Sequence, residues 1–278
     1  MRIETTQQKD VPVTKEVTLQ YLANDDGLAA YVASVAGGEV AQHPGNYIHQ
    51  QVKVVDGRRL ATEPRLDKEG FILKSHLTKV RDFYDDHEIA GIYEDEIKSL
   101  LKAETGAARI EVFDHTRRSA SETVRLKRKL REHATVIHND YTAESGPKRL
   151  RQLLPDEAES LLQNRFAIIN VWRSINGVVH NHPLAMCDAS TVAQEDLVAV
   201  VRQSKDRVGE IQLATYNPGH RWVYYPEMTE NEALLFKTYD SLEQGVTRFT
   251  IHSAFDDPDA DAKSPARESI ETRCFVFY

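Results

Sequence analysis

The chain has 278 residues, 41% hydrophobic and 28% charged, with a formal net charge of −8. That balance fits one large folded domain and excludes a disordered chain. The acidic charge argues against nucleic acid or an anionic membrane as the main partner and leaves small molecules as the default. No stretch has the apolar length needed to span a bilayer. The opening Met1-Arg2-Ile3-Glu4-Thr5 also lacks the apolar run of a secretory signal, so a cytoplasmic protein is expected.

Residues 1–70 mix β-like runs at 17–22 and 48–55 with turn signals at Asn24-Asp25-Asp26-Gly27, Pro44-Gly45-Asn46 and Asp56-Gly57. We read an irregular N-terminal cover over the core, with His43 and His49 at its surface. From 71 to 106 the apolar spacing is helical: Leu77, Val80 and Phe83 form one stripe, Ile97, Leu100 and Leu101 the next, and Gly106 suits a C-cap. The acidic residues from Asp82 to Glu96 fall on polar faces and read as solvated surface. Residues 108–113 alternate as a strand. The basic run from Arg125 to Arg131 is too short to argue for nucleic acid in an acidic protein.

The segment Val136-Ile137-His138-Asn139-Asp140-Tyr141-Thr142 follows. In an extended chain His138 and Asp140 point to one side. An imidazole and a carboxylate so placed leave positions open on Fe(II), provided a second His arrives from elsewhere. On spacing alone, an ordinary polar strand end competes with that reading.

A helical insert at 148–164 is interrupted by Pro155. Beyond it the chain is β-rich, with candidate strands at 165–175, 197–202, 210–216, 221–226, 233–239, 247–252 and 269–278. The expected fold is mainly β with flanking helices, a sandwich or barrel in a single domain over 1–278. Within it, 71–164 supplies helices and the first core strands, and 165–278 the β-rich core. Cys187 and Cys274 are too few for a disulfide framework or a thiolate zinc site, and read as buried packing.

Four downstream histidines compete to complete the metal site. His180 and His182 form a same-face pair of their own, but they lie between Gly177 and Pro183, where a surface turn is expected. His220 follows the turn Asn217-Pro218-Gly219 and reads as a loop residue at a pocket mouth. His252 is better placed, because a strand delivers it at its end and the last strand returns beside it. On that strand Arg267, Ser269, Glu271, Arg273, Phe275 and Phe277 share a face. An Arg and a hydroxyl two residues apart can clamp a carboxylate. Alternatively, Arg267 pairs with an acidic neighbour at the surface.

His-x-Asp, then strands, a distant His and a final Arg-x-Ser together resemble the double-stranded β-helix (jelly-roll) oxygenases that use Fe(II) and 2-oxoglutarate. More particularly, Val112-Phe113-Asp114-His115-Thr116-Arg117, the His138 segment, Asn170-Val171-Trp172-Arg173-Ser174 and stretches at 182–188, 220–228 and 252–258 resemble one microbial family. It groups gibberellin desaturase-like enzymes with cephamycin methoxylase CmcJ-like proteins, and the likeness covers residues 71–278.

The resemblance implies His138, Asp140 and His252 as iron ligands, and Arg267 with Ser269 as the anchor for the distal carboxylate of 2-oxoglutarate. It implies Fe(II), 2-oxoglutarate and O2 as cofactor and cosubstrates of an oxidoreductase. Such an enzyme hydroxylates, desaturates or oxidatively cyclises a small molecule of specialised metabolism. The spacing from His252 to Arg267 is longer than in plant-type relatives, which keeps Arg273 as a reserve anchor. Tyr141, Asn170 and Trp172 are candidate substrate-pocket residues. Arg165, Arg173 and Arg248 hint at an anionic substrate or sit at strand edges on the surface. A homodimer is the default assembly. Two other functions compete: a cupin-like metalloenzyme that does not use 2-oxoglutarate, and a non-catalytic jelly roll that binds a small molecule.

Overall fold

Fourteen strands carry the architecture of the computed structural model, which describes residues 13–23, 29–205 and 207–278. In chain order they are β1 Thr14–Leu22, β2 Ala30–Val32, β3 Tyr47–Asp56, β4 Phe71–Ser75, β5 Arg109–Ser119, β6 His138–Asn139 and β7 Phe166–Ser174. Then come β8 Leu184–Cys187, β9 Leu197–Gln203, β10 Val208–Ala214, β11 Trp222–Tyr224, β12 Glu232–Asp240, β13 His252–Ala254 and β14 Glu268–Phe277. The larger sheet runs β1-β3-β11-β8-β13-β6-β10-β9-β2, and the smaller β4-β12-β7-β14-β5.

Side chains from both sheets meet in one core layer, where Phe71, Trp172 and Phe236 of the smaller sheet pack with Met186 and Val223 of the larger. This is the jelly-roll core. The central strand β7 is buried along its whole length, as a strand covered on both faces must be. Its residues Ala167, Ile169 and Val171 pack outward with Ile97 and Leu101 of a helix. Strand alternation therefore turns Asn170 and Trp172 inward, toward the other sheet.

That helix, α2 Glu94–Thr105, follows a short α1 Asp86–Glu88 and one π turn over 89–93. It ends at Gly106, whose φ of 69° is the left-handed cap that glycine adopts without a Cβ penalty. The helix expected around Leu77, Val80 and Phe83 is absent. Residues 71–75 are strand β4, paired antiparallel with β12, and an irregular connection follows in which Leu77 is exposed while Val80 and Phe83 are buried. A three-residue apolar spacing is compatible with such a connection when side chains cap its turns. Here the Glu88 carboxylate accepts from the backbone of Arg81 and Asp82, and Glu96 accepts from Thr78 and Lys79. Part of the acidic run thus holds backbone in place, where solvated surface was expected.

The irregular cover expected at the N-terminus is also regular strand over much of its length. The register of β1 with β3 runs from Thr14 opposite Val55 to Leu22 opposite Tyr47, and β3 adds parallel to β11. Val17, Leu19 and Tyr21 alternate into the core. The turn signal at 24–27 lies outside the described residues. His49 is exposed, but His43 packs its ring 4.7 Å from that of Tyr31.

Further along come α3 Glu122–Arg128, then α4 Ser145–Leu153 and α5 Ala158–Leu161 on either side of Pro155. The strand expected over 247–252 is displaced: β13 begins at His252, which therefore opens a strand rather than closing one. Both cysteines are buried free thiols. Among the described residues no helix is long and apolar enough to cross a membrane.

Candidate metal centre

Strands β6 and β13 are hydrogen-bonded neighbours, and His138 stands directly opposite His252. Their ring centroids are 4.5 Å apart. Each imidazole is fixed by the same local device. His138 Nδ1 donates to the Val136 carbonyl at 2.8 Å, and His252 Nδ1 donates to the Thr250 carbonyl at 3.0 Å. A carbonyl only accepts, so Nδ1 carries the proton and Nε2 keeps its lone pair for a metal.

The carboxylate is preset as firmly. Asp140 Oδ2 accepts from Arg273 Nε and Asn170 Nδ2, both at 2.8 Å. Its Oδ1 is left facing His138 Nε2 at 3.7 Å. One ligand atom from each of His138, Asp140 and His252 lies within 4.8 Å of the other two. Two neutral imidazoles and one carboxylate oxygen, with their outer atoms already bonded, form a donor set for a divalent transition metal with open positions.

Electrostatics agrees with that geometry. Burial, and then the neighbouring His252, pull His138 down to about 4, so the ring is neutral near pH 7. Burial also lowers His252. For Asp140, burial opposes ionisation, but the Arg273 guanidinium outweighs it and holds the carboxyl well below its ordinary value. On the far side Phe236 lies with its ring 4.6 Å from that of His252.

Arg267 is buried, with its guanidinium 5.5 Å from the Trp172 ring centroid. One of its terminal nitrogens donates to the His182 carbonyl. Its Nε and the Ser269 hydroxyl are buried with no partner among the described residues. Burial, and then Arg118, pull Arg267 down to about 9 against the opposing Glu271. A small cavity joins Arg267 and Trp172 to His138 and His252. An incompletely paired guanidinium beside an orphaned hydroxyl, next to a two-His, one-carboxylate set, fits a carboxylate-bearing metal ligand.

Arg273 behaves differently from a reserve anchor. It contacts Asp140, Asp114 and Glu271, and although burial disfavours its charge, those carboxylates raise it well above its ordinary value. Its Nε donates to Asp140, while its terminal nitrogens donate to Asp114 and Glu271, so each nitrogen of the guanidinium already has a partner. Asn170, expected among substrate-pocket residues, stands opposite Arg273 across β7 and β14 and reaches the same carboxylate oxygen. Trp172 lines the smaller cavity. Tyr141 lines a larger one that also reaches His138 and Asp140, and burial pushes its hydroxyl up to about 12.

The other histidines are placed elsewhere. His182 stacks on His133 with centroids 4.0 Å apart, and with Asp256 these two form a second cluster of potential ligand atoms. Burial first, and then the Arg267 cation, disfavour positive charge on both rings. His180 takes no part in that cluster, so the expected pair of His180 and His182 is not assembled as such. His220 is enclosed, bonded to Tyr21 at 3.1 Å and Asp196 at 3.2 Å, and is no pocket-mouth residue.

The arginines flagged for an anionic substrate also lie away from the two cavities. Arg165 pairs with Asp240, Arg173 is buried beside His76, and Arg248 donates to the Asp240 carbonyl. What sequence reasoning missed was the pair of residues that orients Asp140. Strand parity had already turned Asn170 and Arg273 inward, which was the available signal.

A family model described as "Oxidoreductase/YMDC permease-like domain" matches residues 19–277. The hydroxylase/desaturase CTB9 of Cercospora beticola is 33% identical over 99% of this chain and 91% of its own length. The hydroxylase/desaturase efuI of Hormonema carpetanum is 32% identical over 95% of each chain. The alpha-ketoglutarate-dependent dioxygenase phiK, from a fungal species, is 30% identical over 95% of this chain and 96% of its own. Among solved structures, the iron and alpha-ketoglutarate-dependent endoperoxidase NvfI superposes with a TM-score of 0.81 at 25% identity, covering 95% of this chain and 98% of that one.

Proposed function

Because the chain belongs to the family of Fe(II)/2-oxoglutarate-dependent hydroxylase/desaturases, we propose that His138, Asp140 and His252 hold its iron and that Arg267 with Ser269 anchors 2-oxoglutarate. The enzyme is an oxidoreductase that oxidises a small molecule. When bound, Fe(II) with 2-oxoglutarate and O2 supplies the oxidising power, the cosubstrate being decarboxylated to succinate as a C–H bond of the substrate is oxidised. The observation that carries the ligand assignment is the convergence of one ligand atom from each of two imidazoles and one carboxylate within 4.8 Å of one another.

The chain's own residues do the positioning. Val136 and Thr250 carbonyls hold the imidazole tautomers, while Arg273 and Asn170 hold one oxygen of Asp140. Trp172 and Phe236 keep water from the inner side. Arg267 offers a fork, and Ser269 a hydroxyl, to the far carboxylate of the cosubstrate. Whether a bound substrate is hydroxylated, desaturated or cyclised follows from which C–H bond the larger cavity presents to the centre. We also place the enzyme in the cytoplasm as a homodimer, which sedimentation analysis would refute by returning a monomer at all concentrations.

Anaerobic titration of the Fe(II)-loaded protein with 2-oxoglutarate tests the reading. A visible metal-to-ligand charge-transfer band should develop and saturate. No band despite intact iron would favour a cupin-like metalloenzyme that works without the cosubstrate. Unchanged iron stoichiometry and oxygen consumption in His138→Ala would sink the ligand assignment and favour a non-catalytic binding protein.

A further inference from the structure

The larger cavity carries an unusual charge for an acidic protein. Six arginines line it: Arg118, Arg131, Arg149, Arg202, Arg207 and Arg273. Among the described residues its acidic lining residues are Asp114 and Asp140, and both are already bonded by Arg273. Among the described residues the other five guanidiniums have no carboxylate partner on this wall: Arg118 donates to the Glu132 carbonyl, and Arg149 makes one long bond to Gln152 while its Nε is buried without a partner. Arg131, Arg202 and Arg207 have no ion pair among the described residues, and all three are partly buried.

Like charges crowded in this way raise the energy of the empty site. Burial first, and neighbouring guanidiniums second, hold Arg131, Arg202 and Arg207 below the ordinary arginine value. Arg273 opposes all three, Arg118 and Arg202 also oppose Arg131, and Arg149 also opposes Arg207. These guanidiniums face one shared cavity. A single carboxylate engages one or two forks, so a group of five calls for more than one anionic group on the occupant. Between the charges, Tyr31, Phe113 and Ile211 supply apolar contact for a carbon skeleton. The anchor at Arg267 lines the smaller cavity, which shares Arg118 and His138 with this one, so Arg131, Arg149, Arg202 and Arg207 are left to another molecule.

Resting on the oxygenase reading, we propose that the molecule oxidised here is a polycarboxylate, a small carbon skeleton with at least two carboxylates. It would seat among Arg131, Arg149, Arg202 and Arg207, with a C–H bond beside His138 and Asp140. The guanidiniums would bind and orient it and take no part in proton or electron transfer.

Calorimetric titration of the Fe(II)-loaded protein, anaerobic and saturated with 2-oxoglutarate so that the anchor is filled, tests this. The probes are tricarballylate, its trimethyl ester and glycerol 3-phosphate, each corrected by a blank titration into iron alone. Tricarballylate should bind roughly tenfold or more tighter than the ester and weaken as salt rises from about 50 to about 300 mM. Arg202→Gln with Arg207→Gln should weaken it by roughly tenfold or more, while the charge-transfer band of the 2-oxoglutarate complex persists and reports an intact fold.

Equal binding of acid and ester, or unchanged binding in the double variant, would overturn the proposal. Tighter binding of the phosphate monoester than of the triacid would overturn the choice of carboxylate. A missing band in the unsubstituted protein would count against the oxygenase reading instead, and the acid-versus-ester comparison would still decide this one.

Discussion

Replacing Asn170 with Ala separates two roles for one side chain. Asn170 is fully buried, and its Nδ2 donates to Asp140 Oδ2 at 2.8 Å, the same oxygen that Arg273 holds at 2.8 Å. A hydrogen bond to a charged group contributes about 1.5–3 kcal/mol. At about 1.4 kcal/mol per factor of ten, its loss should weaken metal binding by roughly 10- to 100-fold, the range expected for a group that orients a ligand. Arg273 keeps its bond, so the site should be loosened rather than lost. The assay is competition for Co(II) or Fe(II) against a chromophoric chelator, run beside a thermal melt. If affinity for metal stays within about twofold while KM for substrate rises, Asn170 touches substrate and the orienting argument is wrong.

Other expectations follow from the same contacts. Arg267→Ala should raise the Kd for 2-oxoglutarate by roughly 100-fold in the anaerobic titration, since a charge-assisted fork is removed. Tm should change little, because an incompletely paired buried cation goes with it; a large fall in Tm with cosubstrate affinity intact would make Arg267 a structural residue. Ser269→Ala should cost about 0.5–1.5 kcal/mol of cosubstrate affinity, read in the same titration.

Gly70→Ala should destabilise by at least about 1–3 kcal/mol and weaken metal binding. At φ 93° its new Cβ would sit 2.2 Å from Thr250 Oγ1, on the residue whose carbonyl holds His252. Metal affinity unchanged in a destabilised Gly70→Ala would refute that link. Lys237→Met should lower stability by about 3 kcal/mol, the low end for breaking a buried pair, because Asp240 keeps Arg165. Urea denaturation checks it, and an unchanged midpoint would contradict it.

Much of this was legible in the chain because it depends on short-range periodicity. Alternation put His138 beside Asp140, and Arg267, Ser269, Glu271 and Arg273 on one face, without reference to any other strand. The same alternation holds along β7, where Asn170 and Trp172 face inward. The run Leu77, Val80 and Phe83 misled because its spacing suits a helix as well as a capped, irregular connection, and only the pairing of β4 with β12 decides between them. The N-terminal segment looked irregular because its turn signals outnumber its strands, yet β1 and β3 are stabilised by the sheet they join.

What the sequence by itself determined, then, is which residues share a face: a His and an Asp, and an Arg with a hydroxyl. Residues of that kind are fixed by covalent geometry over two to four positions. The tertiary structure alone decided who meets across strands. It set His252 opposite His138 and Asn170 opposite Arg273, so that Arg273 and Asn170 share one oxygen of Asp140. It also gathered Arg118, Arg131, Arg149, Arg202 and Arg207 from separate elements into one cavity. Those meetings depend on register between distant segments, which is set by the packing of two whole sheets.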